Sequence, residues 1–126
     1  MERTIIKFEG TNSPAPVSPA TKAGGFIFVS GQCGYDMRKG CFFGDDIESQ
    51  ARGAMENLKE VLEAAGSDFD HLLKVNIYLS DVKDFPVVNQ IYKEYITGEN
   101  PARTCLQIAR IPLDALLEIE AIAIEK

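Results

Sequence analysis

The sequence predicts an α+β fold, with one mixed β-sheet that carries two helices on a single face. The first observation is the order of elements, in which strands precede two amphipathic helices, a strand separates them and two strands end the chain. The second is a strand–helix–strand unit over residues 72–109, which requires two parallel strands and a right-handed crossover. The third is that each helix has one apolar stripe, so both should cover the same sheet face. We expect residues 1–126 to form a single domain.

Two strands separated by a proline-rich loop are predicted before the first helix. Residues 3–8 form a short strand candidate, while residues 25–32 are rich in β-branched and aromatic side chains and begin at a glycine. Three prolines within residues 12–20 fix φ and exclude a central strand, so this segment is predicted to be a surface loop. Three glycines within residues 33–44 predict a turn or hairpin.

The first helix is predicted from apolar side chains at three- and four-residue spacing. This stripe runs from Ile47 to Ala65. Asp45, with Glu48 three residues later, predicts a capping box at the start of the helix. Gly66 is well placed to end it.

The second helix and the strand before it are predicted from their apolar faces. Asp84 is the expected N-cap of the helix, Pro86 fits its first turn and Gly98 is expected to end it. Its apolar side is made of Val88, Ile91, Tyr92, Tyr95 and Ile96. The apolar face of the preceding strand is made of Leu73, Val75, Ile77 and Leu79.

The last two strands are expected to build the helix-free face of the sheet. Alternation along the strand puts Arg103 and Cys105 on one side, and in the final strand Glu118 and Glu120 share a side with aliphatic residues. We expect all four to lie on the same helix-free face. A face that mixes aliphatic side chains with a few charges should not lie open to water, so association with copies of the same chain is predicted.

Composition argues against several classes of function. The net charge is −6 and no Lys/Arg run occurs, which disfavours a nucleic-acid surface. No stretch approaches the roughly 20 apolar residues of a membrane span, and the first residues lack the apolar segment of a secretory signal. The three cysteines are odd in number and show no C-x-x-C spacing, which suggests neither a disulfide framework nor a zinc site. We expect a cytoplasmic protein.

Arg103 is the leading candidate for a functional residue. Its guanidinium stays charged, so partial burial calls for an anion, and its planar fork matches a carboxylate. Glu118 is a poor intrachain partner, because a hairpin would leave the two residues ~16 Å apart and an intervening strand would leave a lateral gap of ~10 Å. Two interpretations stay open: an ion pair between subunits, or an anionic ligand.

Each remaining candidate has a structural and a functional interpretation. Glu118 and Glu120 either form a solvated edge or include one carboxyl of raised pKa that is suited to proton transfer. Cys105 is either a nucleophile or, more commonly, a small buried thiol. Ser30 is either a hydrogen-bond donor to a ligand or part of a strand exit. The single histidine, His71, has no predicted catalytic partner.

Four segments of the chain resemble the RidA/YjgF family of reactive-intermediate (enamine/imine) deaminases, also labelled endoribonuclease L-PSP. The resemblance follows the family's order and spacing over nearly the whole chain. The most specific segment reads Pro101-Ala102-Arg103-Thr104-Cys105 and continues to Glu118-Ile119-Glu120. The matching segments are residues 29–32, 50–66, 84–92 and 101–123.

The resemblance implies a fold, an assembly and an activity. The fold is a chorismate-mutase-like α+β domain, and the assembly is a homotrimer with clefts between subunits. The activity is hydrolysis of 2-aminoacrylate-type enamines and their imine tautomers to 2-oxo acids and ammonia, as a 2-iminobutanoate/2-iminopropanoate deaminase performs it. It implies no cofactor and no metal, and its partners are small imino and 2-oxo acids.

The resemblance also implies roles for individual residues. Arg103 matches the arginine that grips the substrate carboxylate, and Cys105 matches the cysteine beside it. Glu118 matches the residue that positions or activates water. Ser30 and Asn89 match polar residues of the cleft, and Tyr92 lies in the same motif.

The chain departs from the family pattern at residues 17–20, where Ala20 stands in place of a tyrosine that closes over the substrate. This departure motivates an alternative function, a non-catalytic trimeric protein that binds small carboxylates or acts like a chaperone. A ribonuclease and translation inhibitor is a further alternative, which the acidic charge disfavours.

Overall fold

The computed structural model describes residues 1–8 and 15–126, which form one six-stranded sheet, a two-stranded hairpin and two helices. Residues 12–14 of the predicted loop lie outside this range. The strands are β1 Thr4–Ile6, β2 Ala20–Ala23, β3 Phe26–Gln32, β4 Tyr35–Asp36, β5 Cys41–Phe42, β6 Leu72–Leu79, β7 Ala102–Gln107 and β8 Leu117–Ile124. The helices are α1 Ile47–Ala64 and α2 Phe85–Tyr95, with 3₁₀ turns at Phe69–His71, Val82–Asp84 and Pro112–Asp114.

The six-stranded sheet has the order β1-β2-β3-β8-β6-β7. Strands β6 and β7 are parallel and α2 connects them, which confirms the predicted strand–helix–strand unit. The other neighbouring strands are antiparallel. The last strand of the chain, β8, therefore lies between β3 and β6, in the interior of the sheet.

Both helices pack on one face of this sheet. The buried side chains of β6 and β8 face each other in register, with Val75 opposite Ala121, Ile77 opposite Ile119 and Leu79 opposite Leu117. They form one apolar core with the inward stripes of α1 and α2. The two predicted apolar stripes are thus confirmed as the faces that cover the sheet. No helix within residues 1–8 and 15–126 is long and apolar enough to cross a membrane.

Helix α1 ends as predicted but begins one residue later. Its N-cap is Asp46 rather than Asp45, since Asp46 Oδ1 accepts a hydrogen bond from the Ser49 backbone N–H at 3.0 Å. At the other end Gly66 adopts a φ of 84°, and the Ser67 N–H donates to the Leu62 carbonyl at 2.8 Å. This is the Schellman arrangement that glycine favours.

Asp84 precedes α2 as predicted, but its carboxylate makes no capping hydrogen bond. The reason is its backbone, with φ −82° and ψ −5°, because Asp84 also ends the Val82–Asp84 turn. A capping side chain needs an extended backbone at that position. Asp81 caps the turn instead, and accepts from the Lys83 N–H at 2.9 Å.

Two apolar assignments from the sequence are wrong. Ala20 was expected on a loop, but it begins strand β2, pairs with Val29 and is 1% exposed within the core. Leu73 was expected inside, but it is 42% exposed. The pairing of β6 with β8 shifts between Leu72 and Lys74, so Leu72 is buried in its place.

The expectation that Arg103 and Cys105 share a face with Glu118 is also wrong. Arg103 pairs with Val75 and Cys105 with Ile77, so both point to the helix side of the sheet together with those buried residues. Glu118 pairs with Tyr78 and points to the helix-free side. The sequence did not reveal that β6 lies between the two strands and sets the side that each one presents.

The helix-free side of the sheet, called here the open face, exposes large apolar side chains. Phe26 is 47% exposed, Phe28 49% and Leu106 43%. Ile122 and Ile124 of β8 lie on the same side and are partly exposed. A patch of this kind typically indicates an interaction surface. That copies of the chain associate through it stays a prediction.

The β4–β5 hairpin is locked onto α1 by a close approach at Gly34. A Cβ atom added to Gly34 would overlap the backbone of Gln50. The Asn57 side chain donates hydrogen bonds to the Cys33 and Tyr35 carbonyls, both at 2.9 Å. Glycine is therefore needed where the hairpin meets the helix.

We predict that Gly34→Ala lowers the free energy of unfolding by about 1–3 kcal/mol, because the helix backbone cannot move aside. Chemical denaturation monitored by circular dichroism measures this change. The matched control is Gly98→Ala, whose Cβ would lie 2.9 Å from Asp70 Oδ1, the end of a mobile side chain. That substitution should change stability by less than about 0.5 kcal/mol, and equal losses in both variants would contradict the prediction.

Candidate functional site

The first group of candidate residues lies where α2 faces β7. The Arg103 guanidinium carbon is 4.8 Å from the centroid of the Tyr92 ring and 5.7 Å from that of the Phe85 ring. Phe85, Asn89 and Tyr92 are spaced at i, i+4 and i+7, so they form one stripe along α2. The structure thus brings together three predicted site residues, namely Arg103, Asn89 and Tyr92.

Arg103 has no acidic partner within the described parts of the chain. A guanidinium that lies over aromatic rings interacts through its flat face, while its N–H groups point outward in its plane. These donors stay available to a carboxylate, which they can bind with two parallel hydrogen bonds. Arg103 is therefore a positioned and unneutralised cation.

Cys105 lies on the same side of β7, two residues from Arg103, and packs against the core. Burial raises the pKa of its thiol, and the nearby Arg103 charge only partly opposes this. A thiol with a raised pKa is a poor nucleophile. The structure therefore favours the interpretation of Cys105 as a partly buried thiol that packs on the same side of the sheet as Arg103.

Tyr92 contributes its ring rather than its hydroxyl group to this arrangement. The residue is 6% exposed, and the hydroxyl oxygen has no hydrogen-bond partner among the described residues. Burial raises the pKa of the phenol. Tyr92 therefore contacts Arg103 through the face of its aromatic ring.

The second group lies on the open face, around Glu118 of β8. A Cβ atom added to Gly31 would overlap the Glu118 carboxylate, so this carboxylate lies directly on the Gly31 backbone. The pairing of β3 with β8 shifts between Val29 and Gln32, and this irregularity makes room for the side chain. Ser30 is adjacent, and its hydroxyl donates to the Ser18 carbonyl at 2.6 Å. The structure thus places Ser30 one residue from the Gly31 backbone on which the Glu118 carboxylate lies.

Glu118 is surrounded by groups that disfavour its charge. Burial raises the pKa of its carboxyl group, and the negative charge of Glu120 raises it further. Glu120 is held in place, since its Oε1 accepts from the Tyr78 hydroxyl at 2.5 Å and from the Asn76 amide at 3.3 Å. Cys33 is close enough that Glu118 adds to the effect of burial in raising the pKa of its thiol. Glu118 is therefore suited to accept and return a proton.

One chain does not bring the two groups together. Arg103 is in register with Val75 and Glu118 with Tyr78, so they are separated by three residues along β6 and by two strand spacings. This corresponds to ~14 Å between their Cα atoms. The side chains also leave opposite faces of the sheet. As expected from the sequence, Arg103 and Glu118 form no intrachain ion pair.

Sequence reasoning missed three contributors to these groups. Phe85 supplies an aromatic face to Arg103, and its spacing to Asn89 and Tyr92 on the predicted helix was the available signal. Gly31 provides the surface under Glu118. Tyr78 fixes Glu120, and only the pairing of β6 with β8 shows this, because the residues are far apart in sequence.

Comparison with known proteins identifies the family. The family model described as "Endoribonuclease L-PSP" matches residues 10–125. The chain belongs to the endoribonuclease L-PSP family, in which solved structures carry the names RidA and YjgF. The resemblance and the fold class that were predicted from the sequence are thereby confirmed.

Individual members of the endoribonuclease L-PSP family are similar along almost their whole length. A RutC family protein of Pyrococcus horikoshii is 44% identical over 115 residues, which cover 89% of this chain and 91% of that protein. The Mus musculus protein named 2-iminobutanoate/2-iminopropanoate deaminase is 40% identical over 118 residues, which cover 91% of this chain and 87% of that protein. The crystal structure of E. coli TdcF with bound serine has a TM-score of 0.90 at 32% identity, and covers 98% of this chain and 99% of that chain.

We predict that Glu120→Gln lowers the pKa of Glu118, because it removes a fixed negative charge that opposes ionisation. Titration of the Glu118 carboxyl carbon by ¹³C NMR measures the midpoint directly. Glu125→Gln is the matched control, since Glu125 pairs with Lys22 at the far end of β8 and the change in net charge is the same.

Because the pKa of Glu118 is raised in the folded chain, stability should depend on pH in a defined direction. Between the ordinary and the raised pKa, the folded chain holds more protons at Glu118 than the unfolded chain. The free energy of unfolding should therefore fall as pH rises through this window.

A Glu118 titration midpoint that is the same in Glu120→Gln and Glu125→Gln would contradict the assignment of part of the raised pKa to the Glu120 charge.

Proposed function

We propose that this protein hydrolyses small 2-imino acids and their enamine tautomers to 2-oxo acids and ammonia. The observation that carries the proposal is the Arg103 guanidinium, which lies over two aromatic rings and has no acidic partner within residues 1–8 and 15–126. An α-imino acid presents a carboxylate next to its reactive carbon. Binding of that carboxylate by Arg103 would fix the position of the carbon.

The relatives support this choice of substrate class. A protein 40% identical to this chain is named a 2-iminobutanoate/2-iminopropanoate deaminase. A family member of the same fold was crystallised with serine, a small molecule with an α-carboxylate. Both relatives point to the same kind of ligand as the geometry around Arg103.

In the proposed reaction, Glu118 handles the proton of water. The imine carbon is already electrophilic, so water attack needs orientation and proton transfer rather than a strong nucleophile. Glu118, as a carboxylate, accepts a proton while the water oxygen bonds to the imine carbon. It gives this proton to the imine nitrogen, which forms a carbinolamine, and then carries the hydroxyl proton of the carbinolamine to the same nitrogen. The C–N bond breaks as this second proton arrives, which leaves a 2-oxo acid and ammonia. The raised pKa of Glu118 brings its proton affinity closer to what this exchange requires.

The site is proposed to form between copies of the chain in a homotrimer. Arg103 and Glu118 leave opposite faces of the sheet of one chain, so each needs a partner from another copy. The exposed Phe26, Phe28 and Leu106 side chains give the open face an apolar surface suited to such an interface. In this assembly Cys105 and Asn89 line the carboxylate side of the cleft with Tyr92, while Ser30 lines the side of Glu118.

A ribonuclease activity, which the family description names, is less favoured by the residues. The His71 ring nitrogen Nδ1 lies 2.6 Å from Asp68, in a turn that belongs to neither candidate group. The net charge of −6 also disfavours contact with phosphates. The deaminase proposal instead uses the residues around Arg103 and around Glu118.

We predict that Arg103→Ala abolishes the acceleration of imine hydrolysis, because the substrate carboxylate loses its anchor. The assay couples a serine or threonine dehydratase to this protein and follows loss of the enamine and formation of the 2-oxo acid. Arg110→Ala is the matched control, since Arg110 is an exposed arginine paired with Asp114 at 2.7 Å. Binding of 2-oxobutyrate without acceleration by the unmodified protein would instead support a non-catalytic carboxylate-binding protein.

We predict that two inactive variants restore each other when their subunits mix. Arg103→Ala and Glu118→Gln subunits that are unfolded and refolded together at equal amounts should recover about one quarter of full activity, because one in four interfaces then holds both intact residues. Each variant refolded alone is the control. No recovery in trimers shown to be mixed by mass spectrometry would place the complete site within one chain and contradict the proposal.

A further inference from the structure

The Arg103 guanidinium contacts the faces of aromatic rings, whereas a buried arginine is usually paired with an acidic side chain. Its guanidinium carbon is 4.8 Å from the Tyr92 ring centroid and 5.7 Å from the Phe85 ring centroid. Both distances lie within the ~6 Å range of cation–π attraction. The pair Phe85 and Tyr92 is called here the aromatic clamp.

We propose that Phe85 is a positioning residue which, together with Tyr92, orients Arg103 so that its N–H edge faces the substrate carboxylate. This inference rests on the proposed function, since it assigns the way in which that site holds its anion-binding residue. Phe85 does not itself contact the reacting atoms. It acts on the substrate through Arg103.

Anion binding by Arg103 depends on which part of its guanidinium is already occupied. An arginine side chain has many rotamers, and something must restrict them before it can bind a carboxylate with two hydrogen bonds. A protein carboxylate would restrict them, but it would also use the N–H donors and neutralise the charge. Aromatic faces restrict the side chain through its flat surface and leave the donors free.

The backbone around Phe85 is suited to hold a ring in one place. Phe85 is the first residue of α2 and packs partly buried against the core. It is preceded by the 3₁₀ turn Val82–Asp84, which Asp81 caps, and followed by Pro86, whose φ is fixed. Tyr92, the second ring that contacts the guanidinium, is 6% exposed. The aromatic clamp is therefore a rigid part of the fold.

The test compares Phe85→Leu with Phe85→Tyr in the dehydratase-coupled assay. Leucine keeps an apolar side chain but removes the ring, so KM should rise roughly fivefold with little change in kcat, because carboxylate binding weakens equally in the ground and transition states. Phe85→Tyr restores the ring and should restore KM. Phe69→Leu is the matched control, since Phe69 is another partly buried phenylalanine of this core and makes a T-shaped contact with Tyr95 rather than with Arg103.

A second measurement reports on the aromatic clamp without depending on catalysis. The Arg103 Nε–Hε signal, assigned by its loss in Arg103→Lys, should be shifted upfield by the ring currents in the unmodified protein. Phe85→Leu should move it toward the position of a free arginine, and the affinity for 2-oxobutyrate, measured by NMR titration, should fall by the same factor as KM rises.

The possible outcomes separate this inference from the proposed function. A fall in kcat and thermal stability with KM unchanged would assign Phe85 a merely structural role and overturn the inference. An Arg103 signal that is unaffected by Phe85→Leu would overturn it as well. If the unmodified protein binds 2-oxobutyrate through Arg103 but does not hydrolyse imines, the proposed function fails, and the change in affinity in Phe85→Leu still decides the role of Phe85.

Discussion

The contact of the Arg103 guanidinium with the faces of Phe85 and Tyr92 is the interaction on which the functional interpretation depends. It keeps a charged group half-buried at the edge of the core without an acidic partner among the described residues. Such a charge is costly to desolvate, and the cation–π contacts offset only part of that cost. The arrangement is understandable if the remaining stabilisation comes from an anion that binds and leaves.

The order of strands explains why the functional groups are divided. Because β8 inserts between β3 and β6, the carboxylate of Glu118 lies in the middle of the sheet, on the face opposite to the helices. Because β7 is the edge strand beyond β6 and faces α2, Arg103 lies at the rim on the helix side. A single chain therefore separates the proposed anion-binding residue from the proposed proton acceptor, and an assembly of copies is the simplest way for one small substrate to contact both.

The sequence predicts the elements of this fold better than their mutual arrangement. The two helices, the strand–helix–strand unit and the end of α1 at Gly66 follow from local spacing and from turn chemistry. The exposure of Leu73 and the side on which Arg103 points depend on register between distant strands, which no local pattern encodes. The same limit applies to the candidate site. Arg103 and Glu118 became candidates through their chemistry and the family resemblance, whereas Gly31 and Tyr78 matter only through contacts that the sheet creates.

The electrostatics of the two groups are complementary in a way that bears on the proposed mechanism. In the single chain the pKa of Glu118 is raised by burial and by Glu120. A neighbouring Arg103 brought close to Glu118 would favour the charged form and oppose part of this rise. A substrate carboxylate on Arg103 would cancel that effect, and so return Glu118 to a high proton affinity at the moment when an imine is present. The proton-accepting strength of Glu118 would then depend on occupation of the site, with Arg103 serving both as the anchor for the substrate and as the group that adjusts its base.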